Sequence, residues 1–442
     1  MKISWIEIQD RIPYELRQLE EEGNAITLLS DEWKTILLSV QNKKQFQERA
    51  ALFYQKIGKL SSDKVNKKNE PSEWDDIVQQ WTKEFKSAPL LSSSFVEEKI
   101  LGGWLGRSAG CLLGKPVEKI PRSGIIELLS SNGTWPIKDY ITGLGIPDSL
   151  LQKYPWNRHS GKESLKENIV CMTEDDDMNY PMLNLSVLEQ FGENFTTEDI
   201  LQTWMSKVPV LETFTAERIA YINALNGITP PETAIEKNPY REWIGAQIRA
   251  DVWGWSSPGQ PARAAQFAWR DARLSHVRNG IYGEIFFASL LAECFIQSDL
   301  RTSITNVLQM IPPHSRFAAA IRFVLSMPIQ KLSWDETVDE LYKEFGGYHW
   351  VHTINNAALV VAALLSSNGE FEKAVCNVVM GGWDTDSNGA TVGSIMGTLS
   401  GAKNLPSKWI EPLNNRIRSS IKGFDNSLLS DLAKRTAAAA KY

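Results

Sequence analysis

Two acidic motifs dominate the chemistry this chain can offer: Thr173-Glu174-Asp175-Asp176-Asp177 and Gly381-Gly382-Trp383-Asp384-Thr385-Asp386-Ser387. Carboxylates gathered in one place raise one another's pKa and destabilise a fold unless a cation lies among them. Hard divalent ions such as Mg²⁺ and Mn²⁺ take oxygen ligands, and Asp384-Thr-Asp386-Ser387 after a Gly-Gly turn supplies two carboxylates and a hydroxyl from one short bend. The two motifs therefore read as halves of one metal site. Each also has an ordinary reading as a helix N-cap, the second one for a helix beginning near Asn388. These two ordinary readings are independent, and both must hold together to remove the site.

The carboxylates need elements to position them. Glu97 to Gly114 reads as a helix with Gly102, Gly106, Gly110 and Gly114 at four-residue intervals, a face almost without side chains that lets a neighbour approach closely. Arg107 within it argues against a membrane dimer motif. Lys115-Pro116-Val117-Glu118 then breaks the helix and presents a carboxylate at its exit. Further periodic segments run over Tyr180 to Phe191, Thr215 to Leu225, Pro261 to Ala268, Ile281 to Phe295, Arg316 to Leu325, Trp334 to Phe345, Ile354 to Leu365 and Phe371 to Met380. No run of alternating strands and no repeat of fixed period is visible. The expected fold is an all-α globule whose loops converge on one site.

A third polar segment, Asp271 to Gly283, carries His276, Gly280 and Tyr282 at the start of a helix, and His276 reads equally as a site residue or as a cap. Upstream, Arg249 to Gly259 is aromatic and turn-rich, with Trp253 and Trp255. Gly346-Gly-Tyr348-His349-Trp350-Val-His352 reads as a substrate-facing loop, although it has no metal-ligand spacing.

Length and composition set the class. The 442 residues are 43% hydrophobic and 23% charged, and 47 Lys and Arg stand against 53 Asp and Glu for a net charge of −6. Such a balance gives no reason to expect general nucleic-acid binding or attraction to anionic membranes. Cys111, Cys171, Cys294 and Cys376 are widely spaced, which suits a reducing cytoplasm better than a disulfide framework. The start of the chain has acidic residues too early for a secretory signal, and the apolar run Ala357 to Leu365 is far short of a membrane span. A soluble cytoplasmic protein is expected. Residues 1–95 read as an N-terminal helical extension, with amphipathic Trp33 to Ile57, a polar stretch Ser61 to Ser72 and a linker Ser87 to Ser94. Residues 96–442 form the main domain. The extension is expected to be a cap over the site, a partner-binding module or a dimerisation element.

Four ordered motifs, Gly114-Lys-Pro-Val-Glu118 after the glycine stripe, Glu174-Asp-Asp-Asp177, Leu274-Ser-His276 and Gly-Gly-Trp-Asp384-Thr-Asp386-Ser-Asn-Gly-Ala, resemble the ADP-ribosylglycohydrolase family over about residues 97–415. The resemblance implies an orthogonal multi-helix all-α fold and a centre of two divalent cations, Mg²⁺ or Mn²⁺. It implies hydrolysis of the N- or O-glycosidic bond that joins ADP-ribose to a protein side chain or small molecule. Residue by residue, it implies metal ligands at Glu118, Asp175, Asp176, Asp177, Asp384, Asp386 and Ser387, with Glu118, Asp175 and Asp176 catalytic. The register of the first run stays open: Asp175 and Asp176 are preferred, and a shift by one residue is the alternative. Substrate contacts are expected at His276, Gly280, Tyr282, Tyr348, Gly382 and Trp383, with an aromatic among Tyr282, Trp255 and Tyr348 stacking adenine and backbone N–H groups near Gly389 or Gly280 receiving the diphosphate. The chain departs from the family in reading Arg107-Ser-Ala for Gly-Asp-Ala, Glu174-Asp-Asp-Asp177 for Thr-Asp-Asp-Thr, and in placing Trp383 before Asp384. A different ribosyl or nucleoside-like substrate, and a non-catalytic binder of ADP-ribose, are the alternatives.

Overall fold

A glycine-faced helix pair forms the spine of the molecule. The computed structural model describes residues 4–39, 42–60, 68–85 and 91–440, with the backbone alone at positions 158 and 159. Ser93–Gly114 and Thr385–Ser400 lie antiparallel, with Gly102, Gly106 and Gly110 set against Gly397, Gly393 and Gly389 in turn. A Cβ on any of these six would lie closer than 3.0 Å to a carbonyl oxygen of the facing helix. The stripe is thus a packing device, as its spacing implies.

Around this pair the regular elements of the described residues are helices, with one short hairpin, Arg416–Ile417 with Ser427–Leu428. Helices apolar on every side are fully enclosed, and Asn279–Glu293 and most of Thr353–Ser366 are buried along their length. Amphipathic helices coat them; Trp334–Phe345 starts with a capping box between Ser333 and Glu336 and buries Val338, Leu341 and Phe345. The C-terminal helix Leu429–Ala439 closes over the glycine helix, where the Trp104 indole donates to Thr436 Oγ1 at 3.2 Å. No helix among the described residues is long and apolar enough to cross a membrane.

Several boundaries differ from the sequence reading. Trp33 to Ile57 is two helices, Thr27–Ser39 and Lys43–Leu60. The acidic helix begins at Asp176, ahead of Tyr180, because Asp175 caps it. Ser93 and Ser94 belong to the first turn of the glycine helix. The rest of the supposed linker through Leu90, and residues 61–67 of the polar stretch, lie outside the described residues.

The N-terminal segment has its own small core of Ile12, Leu16, Leu19, Trp33, Phe53, Tyr54 and Ile57. Its first helix, Ile8–Glu21, is held on the rest of the chain by buried ion pairs. Arg241 pairs with Glu15 at 3.0 Å and Glu22 at 2.8 Å, Arg278 with Glu22 and with Glu242 at 2.6 Å, and Arg316 with Glu242 and Glu70, each at 2.8 Å. Asn279 adds a bond to Glu70 at 2.9 Å. Each charge here is matched, as burial requires.

The glycine contact is testable against an exposed glycine. Gly106→Ala forces backbone from backbone and is expected to destabilise by roughly 1–3 kcal/mol, the usual cost of overpacking. Gly58→Ala, in a helix with nothing within 4 Å of its new Cβ, is expected to stabilise by about 0.5–1 kcal/mol. Unfolding midpoints of the two variants read the difference.

Candidate metal centre and active site

The spine fixes which chain ends meet. Where the glycine helix ends, Gly114 lies on the Thr385 backbone, and the Thr385 hydroxyl donates to Gly114 O at 2.8 Å. Pro116 then turns the chain through Lys115–Val117 into Glu118. Across the junction Asp384 is the N-cap of the partner helix and Asp386 lies in its first turn. Carboxylate oxygens of Glu118, Asp384 and Asp386 consequently lie within 4.8 Å of one another.

The third strip of carboxylate comes from the start of Asp176–Phe191. Pro181 has no N–H, so the helix leaves the carbonyl of Asp177 without its usual donor. Arg107 fills that place, donating from Nε at 3.1 Å and Nη2 at 2.6 Å to Asp177 O, while its Nη1 pairs with Asp251 at 2.7 Å. The residue that departs from the family motif is therefore a fully buried clamp between two helices. Asp177 Oδ2 accepts from the Ser387 hydroxyl at 3.2 Å, which ties this strip to the other, and Asp177 Oδ1 has no hydrogen-bond partner.

Lys115 sits among these acids. Its ammonium pairs with Asp175 and lies 3.4 Å from Asp386 and 3.9 Å from Glu118. Burial opposes its charge, but Asp386 and Glu118 outweigh burial and hold the ammonium above its ordinary range. Burial raises Asp177 and Asp384, with Asp386 adding to both. Asp386 goes the other way: burial would raise it, but Lys115, hydrogen bonds with Asp384 and Glu118, and Lys119 together lower it. Glu118 is pushed up to about 7, first by burial and then by Asp386. Asn157 donates to Glu118 Oε2, and Lys119 lies 3.4 Å from Oε1.

The acids floor a cavity of about 260 Å³. Lys115, Lys119, Glu118, Asp176, Asp177, Asp384, Asp386 and Ser387 line it together with Trp5, Tyr14, Phe214, Trp243, His349 and Trp350. Glu217 also reaches it, paired with Arg249 at 2.9 Å. A larger open depression of about 880 Å³, around Pro136, Trp334 and Phe371, is lined by none of the site residues.

The structure brings Glu118, Asp176, Asp177, Asp384, Asp386 and Ser387 together and corrects other expectations. Asp175 does not line the cavity; its carboxylate accepts from Asp177 N at 2.9 Å and pairs with Lys115, so the side chains facing the cavity are those of Asp176 and Asp177. His276 is buried behind Ser275, with its Nδ1 2.9 Å from the hydroxyl. Gly280 packs on Arg241 O, and the Tyr282 hydroxyl donates to Pro71 O; this polar turn holds the N-terminal segment rather than a ligand. Tyr348 packs on His352, while its neighbours His349 and Trp350 line the cavity. Gly382 and Trp383 shape the Asp384 turn from outside: Trp383 stacks on Tyr342 at 4.4 Å and 15°, with positive φ at both positions. Trp255 is buried against Trp104, and Gly389 is pressed on Gly110, so neither is placed to receive adenine or diphosphate.

Sequence reasoning missed Lys115, Asn157 and the aromatics Trp5, Tyr14, Phe214 and Trp243, whereas the loop carrying His349 and Trp350 was read as substrate-facing. Lys115 had a signal, as the residue between the stripe and Glu118; the four missed aromatics are scattered along the chain and had none.

The ADP-ribosylglycohydrolase family profile matches residues 92–441. A solved structure named "ADP-ribosylglycohydrolase-related protein complex" is 18% identical, covering 78% of this chain and 98% of that chain, with a TM-score of 0.47. No match was found among curated proteins. The profile spans well over half of the chain, including the glycine helix and every acid of the floor, and the chain belongs to the ADP-ribosylglycohydrolase family.

Proposed function

We propose that this protein is a divalent-cation-dependent hydrolase that cleaves the N- or O-glycosidic bond between ADP-ribose and a protein side chain or small molecule. The observation that carries the reading is the convergence of Glu118, Asp176, Asp177, Asp384 and Asp386 on one cavity inside the family match. The donor set suits Mg²⁺ or Mn²⁺, being carboxylate and hydroxyl oxygens, with Asp177 Oδ1 accepting no hydrogen bond and 3.8 Å from the Arg107 guanidinium. Glu118, Asp384 and Asp386 would hold one cation. Asp176, Asp177 and Ser387 offer ligands to a second in the same space. A divalent cation bound there supplies Lewis acidity to sugar hydroxyls and to water.

The chain's own groups divide the remaining work. Glu118, aimed by Asn157, is the residue placed to take the proton of the attacking water. Asp386, kept anionic by Lys115, faces the positive charge that builds on the ribose ring as its bond to the leaving group lengthens. The aromatic lining of the cavity keeps bulk water from the sugar. A second reading, a ribosyl or nucleoside-like substrate without a diphosphate, is favoured by the pairing of both cavity lysines with floor carboxylates.

Calorimetry of metal-stripped protein with Mn²⁺ is expected to show binding that Asp384→Ala removes. Asn157→Ala, which frees Glu118 without removing a ligand, is expected to weaken binding roughly 10–100-fold, as second-shell changes do. Binding unchanged in both variants would place the cation elsewhere.

The raised carboxyls give metal-free protein a pH signature. A carboxyl raised in the folded state contributes stability present below its unfolded pKa and lost as pH rises through the folded value. Glu118 and Glu217, each pushed up to about 7, share the neutral range, joined by Asp177 and Asp384. Lowered Asp386 has the opposite sign and loses its contribution only on acidification. The unfolding midpoint is therefore expected to fall from about pH 5 to about pH 8, with Glu118→Gln flattening the upper part of that slope. Saturating Mn²⁺ is expected to reverse the trend, because ligands bind the cation after losing their protons.

A further inference from the structure

The family match begins at residue 92, yet Trp5 and Tyr14 line the same cavity as Glu118 and Asp384. Tyr14 meets Trp243 edge-on at 5.5 Å and His349 edge-on at 5.7 Å, and those two rings stack at 4.2 Å and 10°. Burial, with Arg17 adding, pushes His349 down to about 3, so this face is a neutral aromatic surface. Trp5 packs edge-on against Phe214 at 5.8 Å, and both line the cavity.

The helix carrying Tyr14 is fixed in register rather than draped. Besides its buried arginine pairs, Arg17 donates to Gly347 O at 3.1 Å, and Glu21 accepts from His349 N at 2.8 Å. These bonds lock the loop bearing His349 and Trp350 to the N-terminal helix. A segment serving only as an appendage has no need of such contacts to a cavity wall.

Aromatic rings and carboxylates lining one cavity suit a ligand with a polyhydroxylated end and a flat ring. We propose that the N-terminal segment completes the substrate site, Trp5 and Tyr14 acting as specificity-determining residues that hold the ring of a ribosyl ligand whose sugar rests on the acids. This rests on the reading of the floor as the sugar site.

The test uses the full-length chain with saturating Mn²⁺ and two probes, ADP-ribose, which carries a flat aromatic ring, and ribose 5-phosphate, which carries only the sugar. Calorimetry compares wild type with Trp5→Leu and Tyr14→Leu, which keep apolar bulk, Tyr14→Phe, which keeps the ring, and Asp384→Ala. Both Leu variants are expected to weaken ADP-ribose at least tenfold while changing ribose 5-phosphate less than twofold, with Tyr14→Phe close to wild type. Equal losses on both probes would mark a structural role and overturn the proposal, as would a wild type that binds the two probes equally. Unchanged binding in the Leu variants, with both probes lost in Asp384→Ala, overturns the proposal alone. A wild type that binds neither probe overturns it together with the sugar-site reading.

Discussion

Backbone pressed on backbone between two glycine-faced helices is the constraint on which the rest depends. Each mid-helix glycine costs about 0.5–1 kcal/mol relative to alanine, so the stripe is maintained against local helix preference. In return the axes approach closely enough to leave one register. Because the pair is antiparallel, that register brings the exit of one helix to the entry of the other, Gly114 onto Thr385. Glu118 and Asp384 meet for that reason and for no interaction of their own, since as neighbouring carboxylates they repel.

Two internal cations make the gathering tolerable. Arg107 occupies the carbonyl that Pro181 strands and links Asp177 to Asp251. Lys115 shares its charge among Asp175, Asp386 and Glu118. Asp384 and the Asp176 run also stand at helix N-termini, where the macrodipole favours negative charge. Even so, burial first and the neighbouring acids second hold Glu118, Asp177 and Asp384 raised. A divalent ion bound among them would offset both.

Much of this was legible in the sequence. The glycine spacing announced close helix packing, and Asp384-Thr-Asp386-Ser387 announced the acidic turn at the cavity. The register of the first acidic run was not legible, because it turns on which Asp caps the helix and on Arg107 reaching a carbonyl 70 residues away in sequence. His276, Gly280 and Tyr282 misled because a polar turn serving a docked helix has the same composition as one serving a ligand. Trp5, Tyr14 and Trp243 were invisible as a group, since only tertiary packing brings such distant aromatics together. The N-terminal segment could be read as helical but not as part of the cavity.

A helix junction that builds a divalent-cation site from Glu118, Asp384 and Asp386 would be seen in anomalous diffraction from crystals soaked in Mn²⁺. The expected result is a manganese peak within ligand distance of those three carboxylates, with the Lys115 ammonium displaced or turned toward Asp175. A fully soaked crystal with no peak at the junction, and Lys115 still bridging the acids, would contradict it.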